Sequence, residues 1–334
     1  MTRILEEDYA YATARLRAIE IHLIDMSRLE RMLDAPTMAD SIKFLSEAGY
    51  GDGKPIVEQQ WESVLDVELS RIYQFLSGIM PHPEVLSVFR LREDYLNIKR
   101  MLKALYQSSN IMTAAGEAGT IPIEDIARSI HERREGNLPE TMGKAILEAM
   151  AEFGKRADPR DIDLVIDRAT YKHMAEMAES IGHSFIIDVV HLMTDMANIK
   201  IFVRGKAAGE SKEFFTRSLL LGGNIELSRF RDNSEKAVEP MLELIRHTWF
   251  GEAAISGMEG VKAGKGMSWL EKKLDDRLME FLKKARFVAM GIEPMVGHLF
   301  GKETEIRNVR IVLTGKMNHI PTQELRERLR IAYV

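Results

Sequence analysis

A twelve-residue pattern that occurs three times constrains the fold of this chain more than any other feature. The copies read "DYLNIKRMLKAL" from residue 94, "DMANIKIFVRGK" from residue 195 and "EIRNVRIVLTGK" from residue 305. Aligned on Asn97, Asn198 and Asn308, they lie 101 and 110 residues apart (198 − 97 and 308 − 198). One chain of 334 residues therefore repeats a domain-sized unit.

Each copy has the spacing of an amphipathic helix. Relative to the Asn, an acidic residue lies three positions before and a basic residue two positions after; these are Asp94, Asp195, Glu305 and Lys99, Lys200, Arg310. Apolar residues occur two before, one after, and four and five after each Asn. At about 100° per residue these positions fall on one face of a helix.

Two further signals repeat ahead of each Asn. The first is an aliphatic residue followed by Asp, at Leu65-Asp66, Ile166-Asp167 and Leu274-Asp275. The second is an Ile followed five residues later by an apolar residue, at Ile24/Leu29, Ile121/Ile126 and Ile225/Phe230, with a fourth occurrence at Ile320/Leu325. We therefore divide the chain into residues 1–115 (an N-terminal helix and the first repeat), 116–215 (the second repeat) and 216–334 (the third repeat and a C-terminal helix).

Helical patterns dominate the whole sequence, which predicts an all-α fold. Local signals agree: Asp158 and Pro159 are typical of a helix start, and "APTMADSIKFLSEAGYG" predicts a short helix ending at Gly49 or Gly51. A period near 100 residues is too long for helix-pair solenoids, whose repeats span about 34–47 residues. Three domain-sized copies can instead close around a pseudo-threefold axis and surround or cap something on it.

Composition excludes several classes of function. The formal net charge of −5 argues against nucleic acid as the main partner, and the absence of cysteine excludes disulfides and thiolate sites. The N-terminus lacks the apolar core of a signal peptide, which favours a cytoplasmic location. The most apolar stretch, residues 184–203, contains Asp188, Asp195 and Lys200, so we expect no membrane insertion and only peripheral association.

Several motifs superficially suggest chemistry. "GMEGVKAGKGMS" (257–268) lacks the Gly-Lys-Ser/Thr ending of a phosphate loop and is interpreted as a mobile loop. Asp161 and Asp163 do not start an EF-hand, because Ile166 and Lys172 stand where Gly and Glu are needed. The histidines His183 and His191 are too far apart for one metal on a helix, and the lysines of "LEKKLDDRLMEFLKKARF" alternate with acids as on a solvated face.

The repeated acid and Asn are interpreted as structural. At positions i and i+3 they can form a carboxylate–amide network that links two helices and fixes their register. Catalytic groups are seldom kept in triplicate at equivalent positions of one chain. We therefore predict no catalytic residue, no cofactor-binding residue, no metal ligand and no cofactor.

The chain also resembles a known family. "YAYATARLRAIEIHLID", "LERMLDAP" and "LSEAGYG" are similar to the N-terminal region of the C subunit of the bacterial and archaeal V-type (A-type) rotary ATPases, known as the d subunit in the vacuolar enzyme. "DMANIKIFVRGKAAG" and "EIRNVRIVLTGKMNHIPTQELRERLRIAYV" resemble its middle and end. One departure is Thr13, where the family pattern leads us to expect Asn.

The resemblance implies a funnel-shaped, all-helical protein of three similar domains with no active site of its own. It also implies a socket that receives the central shaft subunits and rests on the membrane proteolipid ring, in ATP-linked transport of H⁺ or Na⁺. Two alternatives are a free-standing helical enzyme with an axial pocket and a cytosolic adaptor. The enzyme alternative predicts a cluster of convergent polar groups in one repeat only, and the sequence reveals none.

Overall fold

Helix boundaries in the computed structural model follow the local sequence signals. The model describes residues 4–116 and 118–334. The carboxylate of Asp158 accepts a hydrogen bond from the backbone N–H of Arg160, and Pro159 begins the helix, as the sequence predicts. The short helix Met38–Glu47 ends just before Gly49, whose φ of 87° is in the left-handed region that glycine tolerates.

The described residues form α-helices and short 3₁₀ or π turns, with no β-strand in either described range, which confirms the all-α class. The helices are α1 (Ala10–Glu20), α2 (Met26–Asp34), α3 (Met38–Glu47), α4 (Trp61–Ile79), α5 (Glu84–Tyr106), α6 (Ile123–Glu132), α7 (Glu140–Arg156), α8 (Pro159–Ile181), α9 (Ser184–Ala207), α10 (Lys212–Ser218), α11 (Leu227–Arg231), α12 (Val238–Leu244), α13 (Gly251–Gly260), α14 (Met267–Leu282), α15 (Ile292–Met317) and α16 (Thr322–Arg328).

The helices belong to two compact units. Unit 1 contains the chain up to Pro83 together with Glu252–Val334, and unit 2 is Glu84–Gly251. In unit 1 the long helix α15 packs against α1–α4, α14 and α16. In unit 2, α8 packs against α5, α7 and α9.

The long helix of each copy buries the apolar face that the sequence predicts. Ile98, Ile199 and Val309, one position after each Asn, are fully buried. The apolar residues four and five positions after each Asn are also buried. Burying one such side chain contributes about 1.5–3 kcal/mol, which explains why the pattern keeps its spacing.

The compact units do not follow the sequence copies. The long helix α5 ends the first copy, yet it packs against α8 of the second copy and belongs to unit 2. The division at residues 115 and 215 therefore describes the repeated sequence, and the arrangement of three domains stays a prediction.

Candidate functional site

The repeated acid of each long helix binds the repeated Ile of another copy. Each carboxylate is buried and accepts a hydrogen bond from the backbone N–H of the Ile that precedes a short helix. The distances are 2.9 Å for Ile121 N to Asp94, 2.9 Å for Ile225 N to Asp195 and 2.7 Å for Ile24 N to Glu305. The first copy thus holds the second, the second holds the third, and the third holds the first. We call these contacts joints.

Each repeated Asn holds a different segment by its backbone. The side-chain oxygen accepts from, and the side-chain nitrogen donates to, the same residue, so both polar ends of the amide are satisfied. The pairs are Asn97 with Gly116, Asn198 with Leu220 and Asn308 with Arg330, all at 2.8–2.9 Å. The acid and the Asn therefore act separately on backbone groups, and the predicted carboxylate–amide network between two helices was wrong.

In two of the three copies, the repeated basic residue contacts the repeated Asp of the following copy. Lys99 Nζ lies 2.6 Å from Asp167, and the Arg310 guanidinium lies 3.2 Å from Asp66. The Asp of the third copy, Asp275, contacts Arg330 at 3.2 Å. The two cross-copy pairs follow the same order as the joints, which supports a structural role for the basic position.

The fourth occurrence of the Ile signal, at Ile320/Leu325, does not begin a fourth copy of the repeat. Asn308 binds the backbone 22 residues later, as Asn198 does, so α16 has the register of α10. Gly315 and Gly205, each seven residues after an Asn, support this register. A side chain at either position would collide with Leu325 of α16 or Phe215 of α10. The apparent Ile320/Leu325 repeat thus comes from the third copy's own last helix.

The third joint differs from the other two because it contains a buried ionic cluster. Glu305 accepts from the Tyr50 hydroxyl at 2.5 Å and from Lys302 Nζ at 2.8 Å, and Lys302 also lies 3.0 Å from Glu68. Burial opposes the charge on Lys302, but the carboxylates of Glu305 and Glu68 outweigh it and raise the pKa of the lysine. Burial, followed by the charge of Glu305, raises the pKa of Tyr50, so its hydroxyl remains a donor.

This cluster is the kind of convergent polar group that the sequence did not reveal. Lys302 lies six positions before its Asn, where the other two copies have Leu91 and Leu192. Lys302 is 7% exposed and Glu305 is 4% exposed, and their charges bind one another. A group that is buried and paired in this way is suited to hold helices together rather than to meet a substrate.

A second polar group lies beside the cluster in unit 1. His298 is buried, and its Nδ1 lies 4.0 Å from Glu20 and has no hydrogen-bond partner within residues 4–116 and 118–334. Burial, helped by Lys302 and Arg17, lowers the pKa of His298 to about 3, so the ring is neutral near pH 7.

The Arg17 guanidinium donates to the carbonyls of Ala285, Arg286 and Val288 and fixes that turn. Thr13, the departure from the family pattern, is buried on α1, and its hydroxyl has no hydrogen-bond partner among the described residues.

The glycine-rich segment is helical rather than an open loop. Residues 257–260 form the last turn of α13, Val261–Lys265 form a π turn, and Gly266 directly precedes α14. Glycines are needed at the turn, since Gly264 and Gly266 have φ values of 87° and 75°. The prediction of a loop was wrong because the π turn joins two helices, and the mobility of the segment stays a prediction.

The other motifs place their side chains in separate contacts. Asp161 binds Arg217 at 2.7 Å, whereas Asp163 binds Lys103 at 2.8 Å. Lys272 pairs with Asp276 at 2.7 Å on α14. Over residues 4–116 and 118–334, no group of three His, Asp or Glu side chains is arranged to hold a metal ion. In the same ranges, no helix combines the length and apolar character needed to cross a membrane.

Comparison with known proteins gives a consistent picture over the whole chain. The model of the family described as ATP synthase (C/AC39) subunit matches residues 12–328. The C subunit of the V-type sodium ATPase of Enterococcus hirae is 23% identical over 330 residues, covering 98% of this chain and 99% of the relative. The C subunit of the A-type ATP synthase of Methanocaldococcus jannaschii is 24% identical, covering 96% and 86%. That of Methanothermobacter thermautotrophicus is 25% identical, covering 92% and 84%.

Proposed function

Because the chain belongs to the ATP synthase (C/AC39) subunit family, we propose that it couples the central shaft of a rotary ATPase to the membrane proteolipid ring. Family membership makes it a component of a V- or A-type complex, and a part of the stalk rather than the catalytic subunit. The finer proposal is that it acts as the socket for the shaft on the cytoplasmic face of the membrane, without inserting into it.

The observation that carries this proposal is the order of the joints. Each copy's acid holds the Ile segment of the next copy, and Glu305 of the third copy holds Ile24 of the first. Three similar units that bind one another in cyclic order can close around an axis. We propose that the three copies form a pseudo-threefold funnel whose axis receives the shaft.

The chemistry of the joints also suits a part that transmits torque. Their carboxylates are buried, so salt screens these contacts much less than it screens contacts on the surface. The chain can therefore keep its own shape while contacts with its partners, made at its surface, form and release. Polar surface contacts orient partners and weaken as salt rises.

The test is copurification of the tagged chain with its partners. We expect membranes solubilised in mild detergent at low salt to yield the tagged chain together with the proteolipid ring and the shaft subunits. An Asn318→Ala variant, which changes an exposed residue, should retain both the proteolipid ring and the shaft subunits. A chain that recovers neither partner from an otherwise intact complex would support the adaptor alternative.

A further inference from the structure

A groove in unit 2 has a mixed lining, in which five of fourteen residues are apolar, and one cation has no counter-charge among the described residues. It has a volume of about 700 Å³ and lies between α7, α8, α10 and α11. Its lining includes the buried side chains of Ala145, Val165 and Leu219. Leu221, also part of the lining, is 65% exposed. The groove therefore offers an apolar surface that nothing in unit 2 covers at Leu221.

The other charges along the groove neutralise one another. On α7 and α8 they form the ion pairs Glu140–Lys144, Glu148–Arg168 and Glu176–Lys172. Arg231, on α11, forms no ion pair with the described residues, and its buried Nε has no hydrogen-bond acceptor among them. A half-buried guanidinium without a partner costs free energy, so an external anion at this position would be stabilising.

The equivalent positions of unit 1 show which kind of counter-charge Arg231 lacks. Arg231 lies six residues after Ile225, and the matching residue six after Ile24 is Glu30. Glu30 binds Arg326 of α16 at 2.8 Å. Arg326 lies 18 residues after Asn308, and the matching residue 18 after Asn198 is Thr216 on α10, which lines the groove. The pair that is Glu with Arg in unit 1 is thus Arg with an uncharged Thr in unit 2.

We propose that this groove receives an acidic amphipathic helix from another subunit of the same complex. The apolar face of that helix packs on Val165, Leu219 and Leu221, and one of its carboxylates pairs with Arg231. This mode places an apolar stripe on the apolar residues of the groove, and the ion pair fixes the direction and register of the helix. The inference rests on the proposed function for the identity of the complex, and on the groove for the chemistry of the partner.

The first test is photo-crosslinking in the purified complex, with Leu221 replaced by p-benzoylphenylalanine. We expect a crosslink to a helical segment of another subunit that carries Asp or Glu beside an apolar stripe. A crosslink to lipid, to a basic segment, or to nothing in a complex that contains the chain would overturn the proposal. Loss of the crosslink on adding phosphate or ATP would indicate a small anion instead and would also overturn it.

The second test measures binding of the purified chain to the complex prepared without it. Arg231→Ala should bind about tenfold or more weakly, and Arg231→Lys should bind between the two, since lysine keeps the charge but not the planar fork. Arg229→Ala is the matched control: it removes the same charge two residues away, where the guanidinium binds the Leu244 carbonyl. Its binding should be unchanged.

Thermal unfolding of the isolated chain separates docking from a structural role. Arg231→Ala should be as stable as the wild type or more stable, because it removes an uncompensated charge. Equal losses of stability and affinity, or unchanged affinity, would overturn the docking proposal. If the wild-type chain itself fails to bind the complex, the proposed function fails. If the wild type binds but both groove tests are negative, only this inference fails.

Discussion

In the joints of unit 2 and in the joint of unit 1, a buried carboxylate accepts a hydrogen bond from a backbone N–H group. The groups around the carboxylate differ between the two units. In unit 2, Asp94 is held by the N–H groups of Thr120 and Ile121 and by the Thr120 hydroxyl, and it forms no ion pair with the described residues. In unit 1, Glu305 reaches Ile24 across 281 positions of sequence and is surrounded by Lys302, Glu68 and Tyr50. The joint between the ends of the chain is the one that contains paired charges.

The glycines explain why the side chains differ in length. Gly119 and Gly223, two residues before Ile121 and Ile225, lie against the carboxylates of Asp94 and Asp195, where a Cβ would collide with an oxygen. At the third joint the matching residue is His22, and the acid is the longer Glu305. The two aspartates therefore lie against backbone next to a glycine. The longer side chain of Glu305 accepts further hydrogen bonds from Lys302 and Tyr50.

The largest effect is expected from breaking the charged joint. Lys302→Leu, which introduces the residue of the other two copies, leaves the buried Glu305 without its cation and should cost about 3–5 kcal/mol. Glu68 is half-buried and keeps Arg71 at 3.7 Å. Hydrogen exchange should show the loss of protection in unit 1 and not in unit 2. Lys43→Leu, at an exposed ion pair of the same unit, is the control and should change little.

A triple variant sharpens this prediction. Replacing Lys302 and Glu68 by Leu and Glu305 by Gln removes the charges together, so it should be more stable than Lys302→Leu alone. If the single variant unfolds like the wild type, the cluster does not hold the joint.

Breaking a backbone clamp should have a smaller effect. Asn198→Ala leaves the buried backbone N–H and carbonyl of Leu220 unsatisfied, at a cost of about 1–3 kcal/mol in chemical unfolding. Asp195→Ala should also lower stability, because it removes the acceptor of the Ile225 N–H. Asn318→Ala, on an exposed side chain, controls for the loss of an amide. Wild-type stability with lost function in the complex would instead make the Asn a functional residue.

The glycine beside each short acid gives a comparable test. Gly119→Ala and Gly223→Ala place a methyl group against a buried carboxylate oxygen and should cost about 1–3 kcal/mol. Gly154→Ala, in α7 of the same unit, has open space around the new methyl group and should stabilise by about 0.5–1 kcal/mol. Equal melting temperatures for the three variants would contradict the close packing of these joints.

The last predicted effect concerns pH. The pKa of His298 is about 3 in the folded chain and near 6.5 when exposed, so the unfolded chain binds the proton first as pH falls. The stability from neutral His298 is complete above about pH 6.5 and declines toward pH 3. Between pH 7 and pH 5 we expect a loss of about 2 kcal/mol that His298→Gln lacks. Identical pH profiles of the two chains would show that His298 is not buried in its neutral form.

The sequence predicted the helices and the repeated Asn register because both depend on short spacings along one helix. It did not reveal which copy each acid binds, since Asp94 and Ile121 lie in different sequence copies and Glu305 and Ile24 lie near opposite ends. Gly119 and Gly223 were an available signal, because a Gly two residues before the repeated Ile indicates close backbone approach.

The buried cluster was hidden for another reason. Lys302, Glu68 and Tyr50 come from three separate segments, and none of them repeats. Each in isolation resembles a surface lysine, a helix acid or a core tyrosine. Only packing brings them within hydrogen-bond distance, so a search for repeated positions could not detect them. The sequence did not reveal the groove at Arg231 for the same reason. The missing counter-charge of Arg231 becomes evident only by comparison with the Glu30–Arg326 pair.

The most direct test of the central claim is ion pumping by the complex reconstituted into vesicles with and without this chain. The socket role predicts that, without the chain, the catalytic part still hydrolyses ATP but moves no ions, and that adding the purified chain restores pumping. The ratio of ions moved to ATP hydrolysed is the quantity to measure, with Arg229→Ala as a chain that should restore it fully. Normal ATP-driven pumping in the complete absence of the chain would contradict the socket role.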